Sequence, residues 1–331
     1  MHVLVVGGAG YIGSFVAREL AARGHEVTVL DSLLTGHREA AAGFELVVGS
    51  CADMHRTAEV MEERGIDAVI HLAALSLVGE SVRDPGRYWR ENVAGAAGLL
   101  DACRRAGVRR FVLSSTAAVY GEPERVPIPE DHPAHPANPY GATKRAIEEM
   151  LAHFRDAAGL GWVSLRYFNA AGAMPDGSLG EDHDPETHLV PLVMRAALGL
   201  RDGLVVFGDD WPTPDGTCLR DYVHVLDLAR AHVLALEWLE AHPGEALVCN
   251  LGGGRGTSVK EVLERAAEVT GREIPWRVGP RRPGDPAVLV AAVDRARKEL
   301  GWEPERSSID EILADAWAWH RSHPSGYGQP R

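Results

Sequence analysis

A short apolar run at residues 2–6 leads directly into Gly7-Gly8-Ala9-Gly10-Tyr11-Ile12-Gly13, and a helical pattern follows at 14–23. Strand, glycine turn and helix in that order confine the chain to a small set of folds. Gly7 suits a tight turn, Gly10 lets backbone approach a diphosphate, and Gly13 lets the helix lie close to the strand, with the diphosphate at the helix N-terminus. The next apolar run, 26–30, ends in Asp31, where a carboxylate can bind the two hydroxyls of an adenosine ribose. An acid there repels a ribose phosphate, so NAD is expected rather than NADP.

The alternation continues. Apolar runs at 44–48, 67–71 and 109–114 are separated by helical patterns at 57–64 and 87–106, which predicts an α/β fold with a doubly wound parallel sheet. Ligands of such sheets bind beyond the carboxyl ends of the strands, which makes Ser114-Ser115-Thr116 a candidate site. The stretch 122–138, rich in proline and acids, reads as an ordered loop. It leads into a helix at 138–157 and a strand at 162–167. Beyond residue 172 the pattern loosens, and 174–186 reads as a surface loop or lid. Helices are expected at 187–198, 226–239, 258–270 and 309–320, and strands at 204–207, 220–225 and 247–251. Trp317 and Trp319 are expected to pack rather than to bind a cofactor. The organisation implied is a Rossmann-like NAD-binding domain at 1–172, to which 217–251 returns, and a smaller mixed α/β cap over 173–331.

The helix expected at 138 carries the chemistry. Asn138 is a good cap, Pro139 suits the first helical position, and Tyr140 and Lys144 then project from one face, one turn apart. Bringing a phenol from a pKa of about 10 to about 7 requires roughly 4 kcal/mol. One ammonium at about 6 Å, with an effective dielectric near 20, supplies only about 2.8 kcal/mol. The helix N-terminus helps a little, and a bound cationic nicotinamide ring can supply the rest.

Bulk properties narrow the class. At 331 residues the chain can bury a large core and is long enough for two domains. Its net charge of -13, with no long run of Lys or Arg, argues against nucleic-acid or anionic-membrane partners. Cys51, Cys103, Cys218 and Cys249 are scattered without a C-x-x-C pair, which fits a reducing compartment and implies no disulfide framework. The 15 histidines show no H-E-x-x-H spacing, so no metal site is expected. No segment is long and apolar enough to span a bilayer, and a cytoplasmic enzyme or binding protein is the expectation.

Taken together, Gly7-x-x-Gly10-x-x-Gly13, Asp31, Ser114-Ser115-Thr116 and Tyr140-x-x-x-Lys144 resemble the extended short-chain dehydrogenase/reductase family. Within it the chain resembles the UDP-glucose 4-epimerases from end to end. The matching stretches are GGAGYIGS (7–14), VGESV (78–82), SSTAAVYG (114–121), NPYGATK (138–144), LRYFNAAGA (165–173), DGTCLRDYVHVLDLA (215–229), NLGGG (250–254) and RRPGD (281–285). The resemblance implies that NAD is kept as a recycled redox group while UDP-glucose and UDP-galactose interconvert through a 4-keto sugar. By it Tyr140 is the base, Lys144 lowers its pKa and holds the nicotinamide ribose, and Thr116 bonds the reacting hydroxyl. Cofactor contacts are implied for Gly7, Gly10, Tyr11, Ile12, Gly13, Asp31, Ser50, Cys51, Ala73, Asn92, Ser114 and Tyr167. Asn169 and Arg220 fall on the diphosphate side with His188 near it, Leu189 among the substrate contacts, Phe207 beside the uracil, Arg282 and Asp285 at the uridine ribose and phosphate, and Leu289 at the sugar. A homodimer is implied as well.

Departures from the family pattern sharpen the expectations. Thr116 stands where Ser is frequent, and the hydroxyl survives. Ser50-Cys51 replaces an Asp that often contacts adenine, and Ser76 a Lys that commonly reaches the cofactor, so NAD is expected to be held less tightly. His188 occupies a position that is often Asn. Leu289 lies where a bulky Tyr excludes N-acetyl sugars in some members, which opens the pocket to UDP-GlcNAc and UDP-GalNAc. A nucleotide-sugar dehydratase would carry an acid pair after Thr116, where this chain has Ala117 and Ala118. A UDP-pentose 4-epimerase or decarboxylase remains a related alternative. A non-catalytic NAD sensor, which would generally lose Tyr140 or Lys144, is the alternative from another class.

Overall fold

The computed structural model describes residues 1–282 and 284–328. Pro283, inside the RRPGD stretch, and 329–331, the end of the expected cap, lie outside the described residues.

The centre of the molecule is a parallel sheet built from β1 (His2–Val6), β2 (Glu26–Asp31), β3 (Glu45–Val48), β4 (Ala68–His71), β5 (Arg110–Thr116) and β6 (Gly161–Tyr167), closed at one edge by a later strand. Val5 lies between Val29 of β2 and Ile70 of β4, all fully buried. Burial on both faces explains why these strands read as continuous apolar runs rather than alternating ones. Val3 and Val5 join one core, with α1 (Tyr11–Ala22) supplying Phe15, Val16 and Leu20. Leu4 and Val6 join the other, with Val60 and Met61 of α2 (Met54–Arg64). That is the two-residue period of a strand, read out as two helical layers.

The helical stretch between β4 and β5 differs from the single helix expected at 87–106. It contains α3 (Val78–Arg83), α4 (Pro85–Tyr88), a π-helical segment Trp89–Ala94 and α5 (Gly95–Ala106). After β5 comes α6 (Pro139–Ala158), whose Ile147 and Leu151 complete the second core.

The remaining chain forms a second lobe. β7 (Asn169–Ala171) follows the main sheet, then α7 (Leu189–Ala197), β8 (Leu204–Phe207), β9 (Leu219–His224) and α8 (Val225–Ala241). β10 (Ala246–Leu251) is the strand that closes the main sheet, pairing with β6 to give the order β10-β6-β5-β4-β1-β2-β3. Of the stretch 217–251, therefore, α8 packs on the first core and β10 extends the sheet, whereas β9 pairs elsewhere. It sits in a small sheet with β7, β11 (Gly256–Ser258) and β13 (Val288–Leu289), while β12 (Trp276–Gly279) pairs with β8. The helices α7, α9 (Val259–Thr270) and α11 (Ile309–Ser322) pack Val193, Met194, Val262, Leu263, Ile312 and Leu313 into a third core, with α10 (Asp294–Leu300) lying on the first.

Two expectations are settled here. Trp319 is fully buried and Trp317 packs against the third core, so both are packing residues. The stretch 174–186 is not an open surface loop: Leu179 and Glu181 are buried, Gly180 lies against the Trp319 ring, and the Tyr327 hydroxyl bonds the Gly180 carbonyl.

Candidate active site

α6 starts as its sequence demands. The Asn138 side chain accepts the Gly141 N–H at 2.9 Å and Pro139 takes the first helical position. This turns Tyr140 and Lys144 inward against the end of β5, where they are 8% and 2% exposed. The Lys144 ammonium donates to the Ser114 carbonyl at 2.8 Å. Thr116 Oγ1 accepts the Ala118 N–H, leaving its own proton for the Tyr140 phenol. Burial pushes that phenol up to about 12, with the Thr116 hydroxyl pulling the other way. Burial also brings Lys144 down to about 8, against the opposing charge of Glu148. Tyr167 lies alongside, raised by burial and by Tyr140.

A buried polar network supports this corner. Glu148 is one turn beyond Lys144 on the same face of α6. It accepts from Ser115 Oγ at 2.8 Å, Ser164 Oγ at 2.7 Å, and Arg166 through Nε at 2.9 Å and its terminal nitrogen at 2.6 Å. Arg166 also donates to the Tyr120 hydroxyl, which donates to Asn250 at 2.6 Å. His232 Nδ1 donates to the Leu228 carbonyl, so its Nε2 accepts the Ser114 hydroxyl at 2.6 Å. His71, at the end of β4, is buried with neither ring nitrogen hydrogen-bonded, and burial together with Lys144 brings it down to about 3. None of Glu148, Arg166, His232 and His71 was expected from the sequence, although the four-residue step from Lys144 to Glu148 was a readable signal.

The glycine turn fits a dinucleotide. Gly7 has φ of 85°, and a Cβ on it would come 2.5 Å from the Ala73 amide nitrogen. A Cβ on Gly13 would come 2.1 Å from the Gly7 carbonyl oxygen, so only glycine fits where α1 starts against the turn. The N-terminus of α1, preceded by Gly10, has no side-chain cap and no acid in its first turn, which leaves its partial positive charge for an anion. Asp31 Oδ2 accepts the Ala9 N–H at 2.9 Å and Oδ1 the Leu33 N–H at 2.8 Å, fixing the carboxylate at the end of β2. These groups are those that NAD requires: a close-packed glycine turn, a helix terminus and a placed acid.

The other expected cofactor residues divide. Ile12 packs at the rim of the first core, and Ala73 lies under Gly7 with its N–H on the Val6 carbonyl. Cys51 packs near Gly95, its thiol pushed up to about 11 by burial, and Ser50 Oγ accepts the Ala52 N–H. Asn92, in the π-helical segment, clips both backbone groups of Leu75 and the Thr143 hydroxyl, so its amide positions the loop after β4. The Tyr11 hydroxyl donates to the Gly172 carbonyl at 2.7 Å, tying the glycine turn to the segment after β7.

The expected substrate residues form three groups. Leu289 pairs in register with Arg220, whose guanidinium donates to the Leu219 and Pro286 carbonyls and lies 3.8 Å from Asp285. Leu289 also packs on Ala117, Val119, Tyr120 and Ile128, directly after Thr116. Arg282 stacks its guanidinium 4.0 Å over the Phe207 ring. Asn169 donates to the Asp221 carbonyl in the neighbouring strand. Leu189 opens α7, and His188, at its cap, bonds Glu181 through Nδ1 rather than standing free. Glu181 gathers His183 and lies near Glu186 as well, a cluster that the absence of a familiar ligand spacing concealed. Although burial opposes charge on both imidazoles, Glu181 outweighs it and raises His188 and His183, and the two histidines in turn lower Glu181.

Known proteins share this arrangement over nearly the whole chain. UDP-glucose 4-epimerase of Lacticaseibacillus casei is 50% identical over 330 residues, covering 99% of each chain. The crystal structure of UDP-glucose 4-epimerase from Brucella ovis in complex with NAD superposes with a TM-score of 0.93 at 50% identity, covering 96% of this chain and 97% of that one. The Bifidobacterium longum enzyme in complex with NAD+ and UDP gives a TM-score of 0.93 at 37% identity, covering 99% and 100%. The pattern that defines one family runs through residues 3–252, from the first strand of the glycine turn to the closing strand of the sheet. By that match and by the turn, acid and Tyr-Lys pair it contains, the chain belongs to the NAD dependent epimerase/dehydratase family.

Proposed function

We propose that this protein is an NAD-dependent UDP-hexose 4-epimerase that interconverts UDP-glucose and UDP-galactose through a transient 4-keto sugar. The observation that carries the reading is the buried Tyr140, Lys144 and Thr116 group at the carboxyl end of β5, the same edge of the parallel sheet from which the glycine turn leaves β1. Relatives named UDP-glucose 4-epimerase and matching end to end support it.

Tyr140 takes the proton of the sugar 4-hydroxyl, which Thr116 holds. Lys144 stabilises the phenolate and presents its remaining N–H groups to the nicotinamide ribose. NAD, which the glycine turn, Asp31 and Lys144 would hold, would supply the hydride acceptor for C4 and the hydride donor to either face of the ketone. Tyr140 then gives its proton back, so the sugar regains both hydrogens and the net oxidation is zero. Between the two transfers the hexose must turn while UDP stays fixed, which assigns firm contacts to Asn169, His188, Leu189, Phe207, Arg220, Arg282 and Asp285 and leaves the pocket around Leu289 loose. Ser50, Cys51, Ser114, Tyr167 and the Asn92 clip complete the cofactor side. The dinucleotide domain is then 1–172, less β7, which pairs with β9, together with α8 and β10, and the remaining lobe is the nucleotide-sugar cap.

Incubation with UDP-galactose, with UDP-glucose read by a coupled dehydrogenase, tests the reading. Conversion to an equilibrium mixture supports it. Reversible NAD binding without conversion would establish the sensor instead. The small Leu289 side chain beside the Thr116 turn supports a second substrate class, UDP-GlcNAc and UDP-GalNAc. Absence of any turnover of both by enzyme active on UDP-glucose refutes that extension. A homodimer completes the proposal, supported by the apolar Val78 and Val82 of α3 and Trp89 of the π-helical segment, all exposed between β4 and β5. Its check is the solution mass. No helix among the described residues is long and apolar enough to cross a membrane, and the four cysteines are free, in keeping with a cytoplasmic setting.

A further inference from the structure

Away from the Tyr140 corner, the segment leading into α7 draws four ligand-type side chains together. Glu181, His183, Glu186 and His188 each offer one donor atom, and these atoms all lie within 4.8 Å of one another. Glu181 is central: its Oε1 is 3.1 Å from His183 Nδ1 and in short contact with His188 Nδ1. His183 Nδ1 also lies 3.8 Å from Glu186 Oε2. The two carboxylates keep only 3% and 4% of their side-chain exposure, whereas the two imidazoles keep 29% and 47%. Buried acids therefore form the floor of the cluster and histidines its open rim, which gives an ion a path from solvent.

The frame around the cluster is fixed on several sides. Trp319 Nε1 donates to the Glu181 carbonyl at 3.0 Å, the Glu186 carboxylate accepts the Thr187 and His188 N–H groups at 2.7 and 2.8 Å, and the Tyr11 ring stands edge-on to His183. Two carboxylates held together out of water repel each other and lose solvation, a cost a dication between them removes. Two imidazole nitrogens with two carboxylate oxygens match zinc and its first-row neighbours, whereas calcium and magnesium prefer oxygen alone. A tetrahedral ion with ligands at about 2.0–2.1 Å needs donors about 3.3 Å apart, which small side-chain rotations reach from the present spread.

We propose that Glu181, His183, Glu186 and His188 form a binding site for a divalent transition ion of the zinc class. Bound there, the ion staples the segment before α7 to the glycine-turn side of the molecule through Tyr11. It takes no part in the hydride or proton transfers, and His188 keeps its other ring nitrogen for the diphosphate side. The proposal stands apart from the epimerase reading, since it concerns ion binding and not turnover.

The test uses full-length protein dialysed against chelator and titrated with Co2+, then with Zn2+. The expected result is saturation at one Co2+ per chain, with visible bands of a low-symmetry nitrogen and oxygen site, displacement by Zn2+, and a higher melting temperature with either ion. His183→Ala, at the exposed rim, and Glu181→Gln are each expected to weaken binding at least about 100-fold, the upper end for loss of a group that only supports a ligand. Circular dichroism confirms that the variants are folded, and His183→Ala alone suffices if Glu181→Gln is not. Absence of saturable Co2+ binding overturns the site in favour of ion-pairing alone. Thiolate charge-transfer bands, or unchanged affinity in folded His183→Ala, overturn it equally.

Discussion

At the scale of single residues, Tyr140 shows what a charge count from spacing leaves out. The Tyr-x-x-x-Lys step was legible in the sequence, and so was the need for a second positive charge. Burial was not, because it depends on β5 and β6 closing over the helix start. It moves the phenol the wrong way, to about 12, so reaching about 7 takes roughly 7 kcal/mol rather than 4. One partly neutralised ammonium falls well short of that. Tyr140→Phe is therefore expected to lower turnover by about 10²–10⁴-fold while UDP affinity, measured by calorimetry, changes little. Wild-type turnover in this variant would remove Tyr140 from the role of base.

At the scale of elements, α6 carries a base, a cation and an anion on successive turns of one face, and β5 and β6 supply the partners. Glu148 and Arg166 are nearly fully buried, so removing one leaves the other charge without its main partner. Glu148→Leu is expected to cost about 3–5 kcal/mol in denaturant unfolding. Glu148→Leu with Arg166→Met should recover much of that loss, since no charge is then stranded; a strictly additive double variant would contradict the pairing. The same scale separates legible from illegible parts of the fold. Apolar runs in β1, β4 and β5 declared a parallel sheet, and Asn138-Pro139 declared the start of α6. Nothing local distinguished β9, which pairs outside the main sheet, from β10, which extends it. The Asn92 clip depends on a π-helical turn that apolar periodicity does not encode. The cluster at 181–188 takes shape because Trp319, far along the chain, holds the Glu181 backbone.

At the scale of the whole molecule, buried neutral histidines in β4, α8 and α11 help to set its acid stability. Burial brings His71 down to about 3 and His232 and His320 to about 4, below the ordinary value near 6.5. Through these three groups the unfolded chain binds more protons than the folded one below pH 6.5, so they lower stability as pH falls through that window; Asp221, raised to about 7 by burial, acts the other way and offsets about one of the three. At pH 5 each histidine contributes a loss of about 2 kcal/mol. His188, whose shift is upward, gives a stabilisation already complete below 6.5 and does not alter this slope. Unfolding free energy is expected to drop between pH 6.5 and 4.5, and a flat profile would contradict the neutral assignments. The same burial makes the site incomplete without its cofactor: the lobes place a phenol that the chain alone holds protonated. The most direct measurement is a tyrosinate absorbance titration of wild type minus Tyr140→Phe, with and without bound NAD+. The account predicts that Tyr140 titrates far above neutrality in cofactor-free protein and near neutrality in the NAD+ complex; the same pKa in both would contradict it.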